Sequence, residues 1–360
     1  MPSQFLAWLM TTFAFAMPFI FGQPTNKPET RTSPYGKEMP PDKYGVWPTE
    51  EFETGQAPLW LQTWALRPTH IMRNLFSGSK NEGIVALYKG KIVYEWYADG
   101  WDKDTRHTLN SATKSVTQAL VGIAIAEGFI DSVDDKFVKY YPDANIEVAA
   151  EWKKEITIEQ LLTMTSGVAG DNDGWLEDYA VRLSSQAQWM AFWRRFDRDS
   201  ARATFEVCSM VVKPGSRWNY SSLGTGLLLG LVARVIDQPL EDYVNEKLFG
   251  PMGITNFKWG VQQDGSYAGE SGLYMTPRDM VKFGYLYLNY GRWEDQQLVP
   301  ADWVAQSPPT SKSPFGYGRL FWNARNAPFS GGYEASGAQG QVIQIIPPRD
   351  LVIVRTGAPR

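Results

Sequence analysis

Two apolar runs, Ile84–Tyr88 and Ile92–Tyr97, are rich in β-branched and aromatic residues and are separated by Lys89-Gly90-Lys91. That composition predicts a β-hairpin, with Gly90 free to take positive φ in the turn. A second pair of runs, Gln341–Ile346 and Leu351–Arg355, flanks Pro347-Pro348-Arg349-Asp350 near the C-terminus, where a proline-led turn between apolar stretches predicts another hairpin. Between the hairpins the period lengthens. Ala112–Glu127 carries apolar residues at 116, 119, 120, 123, 124 and 126 and stops at Gly128, the spacing and stop signal of a helix. Ile158–Met164 reads the same way and ends at Thr165-Ser166-Gly167, and further helical patterns cover 224–236, 240–248, 277–288 and 300–306. Strands at both ends with helices between them predict an α+β fold: an antiparallel sheet built from both chain ends, flanked by helices, with an inserted helical region.

The pattern before the first hairpin is different. Residues 5–22 carry no charged side chain, which suits a signal peptide or a membrane anchor. No Lys or Arg precedes them, while Ala14-Phe15-Ala16 supplies a small-x-small cleavage pattern and Pro18 breaks any long helix. Export, to a periplasm or to a membrane held through residues 5–22, is the expectation rather than a cytoplasmic location. Residues 23–58 are polar and contain Pro24, Pro28, Pro34, Pro40, Pro41 and Pro48, so they are expected to be a linker whose end lies on the domain. The domain proper is expected to run over residues 59–360.

Composition narrows the chemistry. With 43% apolar and 21% charged residues, wholesale disorder is excluded. The 35 basic residues against 39 acidic ones give a net charge of −4, which offers no basic field for nucleic acid. A single cysteine, Cys208, forbids an intrachain disulfide, and with only His70 and His107 besides a Cys-rich or His-cluster metal centre has no ligands. The chemistry must therefore come mostly from Ser, Lys, Tyr and carboxylates, side chains whose nucleophilic and acid–base work requires no metal or organic cofactor.

Ser-x-x-Lys occurs twice, as Ser77-Gly78-Ser79-Lys80 and as Ser111-Ala112-Thr113-Lys114. The first lies in a Gly- and Ser-rich stretch and reads as a surface turn. The second opens the apolar helix, where residues three apart share a face, so the Lys114 amine is expected beside the Ser111 hydroxyl. Burial beneath that helix would lower the lysine pKa, and a neutral amine can take the serine proton. The plain alternative makes Ser111 a helix cap and Lys114 a solvated first-turn residue. Downstream, Tyr220-Ser221-Ser222 puts a phenol and two hydroxyls in a loop, and Ala335-Ser336-Gly337-Ala338 leads into the C-terminal strand pair. Asp171, Asn172, Asp173 and Glu177 form an acidic loop read as solvated, since its spacing fits no EF-hand. Trp175 and Tyr179 beside it read as packing or part of a pocket lid. His107 precedes Ser111 by four residues, but no Gly-x-Ser-x-Gly elbow accompanies it.

Taken in order, Ser111-x-x-Lys114, Tyr220-Ser221-Ser222 and Ala335-Ser336-Gly337 resemble the three motifs of the β-lactamase-related, penicillin-recognising serine hydrolases. Leu161–Gly167 and Gly272–Met280 resemble further segments of that family, and the similarity runs from Leu59 to Gly357, in flavour nearest the 6-aminohexanoate-dimer hydrolase and esterase branch. The resemblance implies an acyl-enzyme at Ser111, with Lys114 as base, Tyr220 as proton relay, and the backbone N–H groups of Ser111 and Ala338 as oxyanion hole. Ser222, Ser336 and Gly337 would contact an amide or ester substrate, a small molecule or a peptide-like one. The family's third-motif lysine is Ala335 here and its second-motif asparagine is Ser222, which puts efficient penicillin hydrolysis in doubt. The competing expectation is a penicillin-binding or sensor protein of the same fold that acylates but turns over poorly.

Overall fold

The computed structural model describes residues 42–64, 79–146, 148–173, 199–261, 265–324 and 331–359. Residues 5–22, Ser77 and Gly78, Trp175, Glu177 and Tyr179 lie outside these, with the expectations attached to them. The first hairpin forms from β1 (Ser79–Tyr88) and β2 (Lys91–Tyr97). Tyr88 pairs with Lys91, so the turn is only Lys89-Gly90, tighter than the three residues expected from the sequence. Both turn residues take positive φ, 50° and 82°, as the two-residue turn that matches strand twist requires. A Cβ on Gly90 would also stand 2.8 Å from the Tyr285 hydroxyl.

Short strands β3 (His107–Thr108), β4 (Lys258–Trp259) and β5 (Leu273–Met275) make a separate three-stranded sheet, and β6 (Arg292–Trp293) and β7 (Gln296–Gln297) a small hairpin. The C-terminal part supplies β8 (Trp322–Asn323), β9 (Tyr333–Gly337), β10 (Gln341–Ile346) and β11 (Leu351–Pro359). The main sheet runs β2-β1-β11-β10-β9-β8, with each neighbouring pair antiparallel. The first strand therefore pairs with the last, and the sheet is assembled from both chain ends as the sequence predicts.

The helices that matter for the site are α1 (Thr113–Ala126), α2 (Ile158–Leu162), α3 (Ser200–Val207), α4 (Ser222–Val235) and α5 (Pro277–Leu288). The pattern over 158–164 closes two residues early, and that over 240–248 passes from an α-helix at Leu240–Val244 into a π-turn at Asn245–Phe249. Among the described residues no single helix is long and apolar enough to cross a membrane.

Helix α5 packs on one face of the sheet. A Cβ on its Gly284 would meet Val352 at 2.5 Å and Ile343 at 2.9 Å, so glycine there permits the close approach. The other face is covered by residues that the sequence places in or beside the linker. Ala57 and Leu61 pack with Ile84, Ala86, Ile346, Leu351 and Ile353. Earlier still, Trp47 lies between Tyr285 and Trp293 at ring separations of 5.6 and 5.5 Å, and Lys282 Nζ donates to the Thr49 carbonyl at 2.9 Å. Residues 42–58 are thus held on the domain. With both faces covered, β1, β10 and β11 read as nearly continuous apolar runs rather than alternating ones.

Candidate active site

Ser111 sits in a 3-10 turn, Asn110–Ala112, that runs directly into α1. No side chain caps either helix start, so the serine hydroxyl is not spent as a cap. The turn is fixed by its surroundings: Leu109 N–H donates to the Leu273 carbonyl at 2.8 Å and Ala112 N–H to the Leu109 carbonyl at 3.0 Å. Asn110 takes a φ of 45° and its amide donates to the Ala338 carbonyl at 2.9 Å. Strand β9 passes hard against this turn. A Cβ on Gly337 would lie 2.1 Å from the Leu109 carbonyl oxygen and 3.1 Å from the backbone nitrogens of Ser111 and Ala112. Only glycine allows the approach, and it sets the Ala338 backbone beside the Ser111 turn. Buried Arg355 holds the far side of that bend, its guanidinium donating to the Gly340 carbonyl at 2.9 Å.

Lys114 is 1% exposed although it stands in the first turn of α1, because that whole helix from Thr113 to Ala124 is buried. Its amine lies 3.1 Å from Ser111 Oγ, 3.1 Å from Ser222 Oγ and 3.0 Å from the Glu270 carbonyl oxygen. Burial pushes its pKa down to about 8, against the opposing pull of the Asp171 and Glu270 charges. The Lys114 amine also stands 5.0 Å from the centre of the Tyr220 ring, which sets the phenol beside the Ser111–Lys114 pair. Burial raises the Tyr220 phenol to about 12, so it stays protonated. The ring is held by Trp322, stacked at 5.8 Å, and by Tyr317, edge-on at 5.9 Å.

The Tyr220 segment is zipped to residues 168–173. Asp171 N–H donates to the Tyr220 carbonyl at 2.9 Å, Ser221 Oγ to the Ala169 carbonyl at 2.8 Å, and Asn219 Nδ2 to Asp173 at 2.7 Å. Ser221 also caps α4, accepting from Gly224 N–H at 3.2 Å. The zip delivers Asp171 to Ser222: its carboxylate accepts from Ser222 N–H at 2.8 Å and from Ser222 Oγ at 2.7 Å. Asp173 is likewise engaged, accepting from Gly170 N–H. Asp171, Asn172 and Asp173 are exposed, as a solvated loop would be, yet the two carboxylates are tied to the Tyr220 segment; among the described residues no group of three or more His, Cys, Asp or Glu could hold a metal ion. A second carboxylate, Glu270, is half-buried with its Oε2 unpartnered among the described residues, and burial raises its pKa.

Chemically, this arrangement is a hydroxyl beside a buried amine with a lowered pKa, a neutral phenol within reach, and a strand bend next to the nucleophile's own N–H. The beta-lactamase family model matches residues 81–356. The chain belongs to the beta-lactamase family. It is 28% identical over 297 residues to the 6-aminohexanoate-dimer hydrolase of Paenarthrobacter ureafaciens, covering 76% of this chain and 71% of that one. Among solved structures it is similar to a Bacillus anthracis protein provisionally named a 6-aminohexanoate-dimer hydrolase, with a TM-score of 0.69, 20% identity, and 88% and 85% of the two chains covered. A penicillin-binding protein homologue from Caulobacter crescentus matches with a TM-score of 0.63 at 14% identity, over 84% and 93%. At these identities the structures speak for the beta-lactamase fold.

Of the residues singled out in the sequence, Ser111, Lys114, Tyr220 and Ser222 meet at one point, and Gly337 and Ala338 border it. Ser222 faces the Lys114 amine and Asp171 rather than standing free for a substrate. Ser336 pairs with Val342 near the end of β9. Ala335 is 1% exposed in the core, so the third motif itself supplies no cation. His107 belongs elsewhere: it is buried in β3, stacked on Trp101, with Nδ1 3.0 Å from Glu82. Cys208 is buried and free. Asp171 and Glu270 are the site residues that sequence reading missed. The acidic loop was visible, but only the fold brings residue 171 to residue 222.

Proposed function

We propose that this chain is a serine hydrolase that forms an acyl-enzyme at Ser111 and cleaves an amide or ester bond in a small or peptide-like substrate. The observation that carries the reading is the 3.1 Å contact between the Lys114 amine and Ser111 Oγ in a site that lowers the lysine pKa to about 8. As Ser111 Oγ attacks the carbonyl carbon, its proton passes to the Lys114 lone pair. The carbonyl oxygen becomes an oxyanion facing the Ser111 and Ala338 N–H groups, assisted by the positive end of α1. When the tetrahedral intermediate collapses, the leaving nitrogen or oxygen takes that proton through Lys114 and the Tyr220 phenol. Water then attacks the acyl ester, releasing the acid and restoring the Ser111 hydroxyl.

The sequence similarity to a 6-aminohexanoate-dimer hydrolase supports linear amides as one substrate class. With Ala335 in the core, the described residues offer no ammonium at the third motif to hold a β-lactam carboxylate, and penicillin turnover is expected to be slow. The charge-free segment at residues 5–22 supports action outside the cytoplasm or at a membrane. Incubation with p-nitrophenyl esters and short linear amides, followed by intact-protein mass measurement, tests the reading. Ester turnover should require Ser111, and an acyl adduct should appear and decay. Equal turnover by Ser111→Ala would refute it.

A further inference from the structure

We infer that Asp171 is a positioning residue that commits the Ser222 hydroxyl proton, so that Ser222 accepts from the Lys114 amine and the amine's lone pair is turned toward Ser111. This inference rests on the proposed role of Lys114 as base. A neutral amine has two N–H donors and one lone pair. Three oxygens surround Lys114 Nζ at 3.0–3.1 Å: the Glu270 carbonyl, Ser222 Oγ and Ser111 Oγ. The carbonyl can only accept, so it takes one N–H. A serine hydroxyl can do either, and left to itself Ser222 would compete with Ser111 to donate to the lone pair.

Asp171 removes that freedom. Its Oδ2 accepts the Ser222 hydroxyl proton at 2.7 Å, while Oδ1 accepts Ser222 N–H at 2.8 Å. With its only proton committed, Ser222 Oγ can only accept, and it takes the second N–H of Lys114. The lone pair is left for the Ser111 O–H, which is the direction of transfer that acylation needs. A carboxylate is required because both Ser222 groups donate. An amide would have to present its NH2 to one of them, and with that NH2 on Ser222 Oγ the hydroxyl proton turns back onto the lysine.

Orientation is gained against charge, since the Asp171 carboxylate favours the ammonium form of Lys114. The groups facing this amine are Asp171, Glu270 and the Tyr220 phenol. Asp171→Asn therefore separates two effects. The plateau of the acylation rate at high pH should fall at least tenfold, while the pH of half-maximal rate should move down from about 8. In a Ser222→Ala background the same exchange should leave the plateau where Ser222→Ala has set it, because Asp171 acts through Ser222. Asp171→Glu, which keeps a carboxylate, should recover part of the plateau. Loss of fold alone would lower the melting temperature and the rate without moving the inflection. A wild-type plateau in Asp171→Asn, or an equal loss with and without Ser222, overturns the inference. Should the native chain fail to acylate at all, the proposed function falls separately. A neutron structure at high pH then decides: the Ser222 hydroxyl deuterium directed at Asp171 upholds the inference, and directed at Lys114 overturns it.

Discussion

Acylation should switch on with rising pH through an inflection near 8, because only the uncharged Lys114 amine can accept the Ser111 proton. Burial moves this lysine from its ordinary 10.5 to about 8, a preference against the ammonium form of about 3 kcal/mol at ~1.4 kcal/mol per pH unit. At pH 7 roughly one molecule in ten then carries the free base, against roughly one in three thousand for an unshifted lysine. The second-order acylation rate constant with a p-nitrophenyl ester, corrected with Ser111→Ala for hydroxide attack, should rise about tenfold per pH unit below the inflection and flatten above it. The Tyr220 phenol, held up to about 12, should not titrate in this range. Because the amine is 1% exposed, added salt should shift the inflection little. A rate independent of pH from about 6 to 9, or one that climbs only near 10.5, would refute the assignment of Lys114 as the base.

Two further outcomes follow from the same geometry. Gly337→Ala would place a Cβ 2.1 Å from the Leu109 carbonyl and 3.1 Å from the Ser111 nitrogen. Both neighbours are backbone, so the strand or the nucleophile turn must move; we expect a loss of about 2 kcal/mol in unfolding free energy and about a hundredfold in acylation rate, with wild-type values in both melting and kinetics contradicting the close approach. Lys114→Met should abolish acylation and alter how stability depends on pH. The folded-state pKa of Lys114 lies below the unfolded one, so its burial penalty is complete below about pH 8 and disappears toward 10.5. Across that window the native chain should gain about 3 kcal/mol relative to the variant in urea unfolding; a difference that stays constant with pH would mean that the lysine titrates normally.

Most of the fold was legible because its signals are local. The hairpin runs, the period of Ala112–Glu127 and the Pro-Pro turn at 347–348 each declare an element within a few residues, and the sheet then follows from pairing β1 with β11. The Ser111–Lys114 pair was equally local, being set by one helical turn. What escaped was non-local. Nothing near Asp171 in the chain marks it as different from Asp173, yet one accepts from Ser222 in the active site and the other from Asn219 in the loop that supports it. The covering of the outer sheet face by Ala57 and Leu61 was hidden for the same reason, since a proline-rich composition speaks against regular structure and not against packing.

The two departures from the family's motifs consequently have different meanings. Ala335 is buried beside apolar neighbours, so nothing in the described site replaces a lysine ammonium there, and recognition of an anionic group is what the exchange is expected to weaken. Ser222 is a different matter. An amide oxygen is an acceptor by construction, whereas a hydroxyl is undecided and needs a neighbour to commit its proton. Asp171 is that neighbour, reached across more than fifty positions of sequence and fixed by the bonds between residues 168–173 and 219–222. A serine with a carboxylate behind it presents the same accepting face to Lys114 as an amide oxygen would. If the proposed function holds, the second motif keeps its accepting face through Asp171 while Ala335 leaves the third motif without a charge, and substrates held by shape and backbone contacts should be turned over faster than those held by a carboxylate.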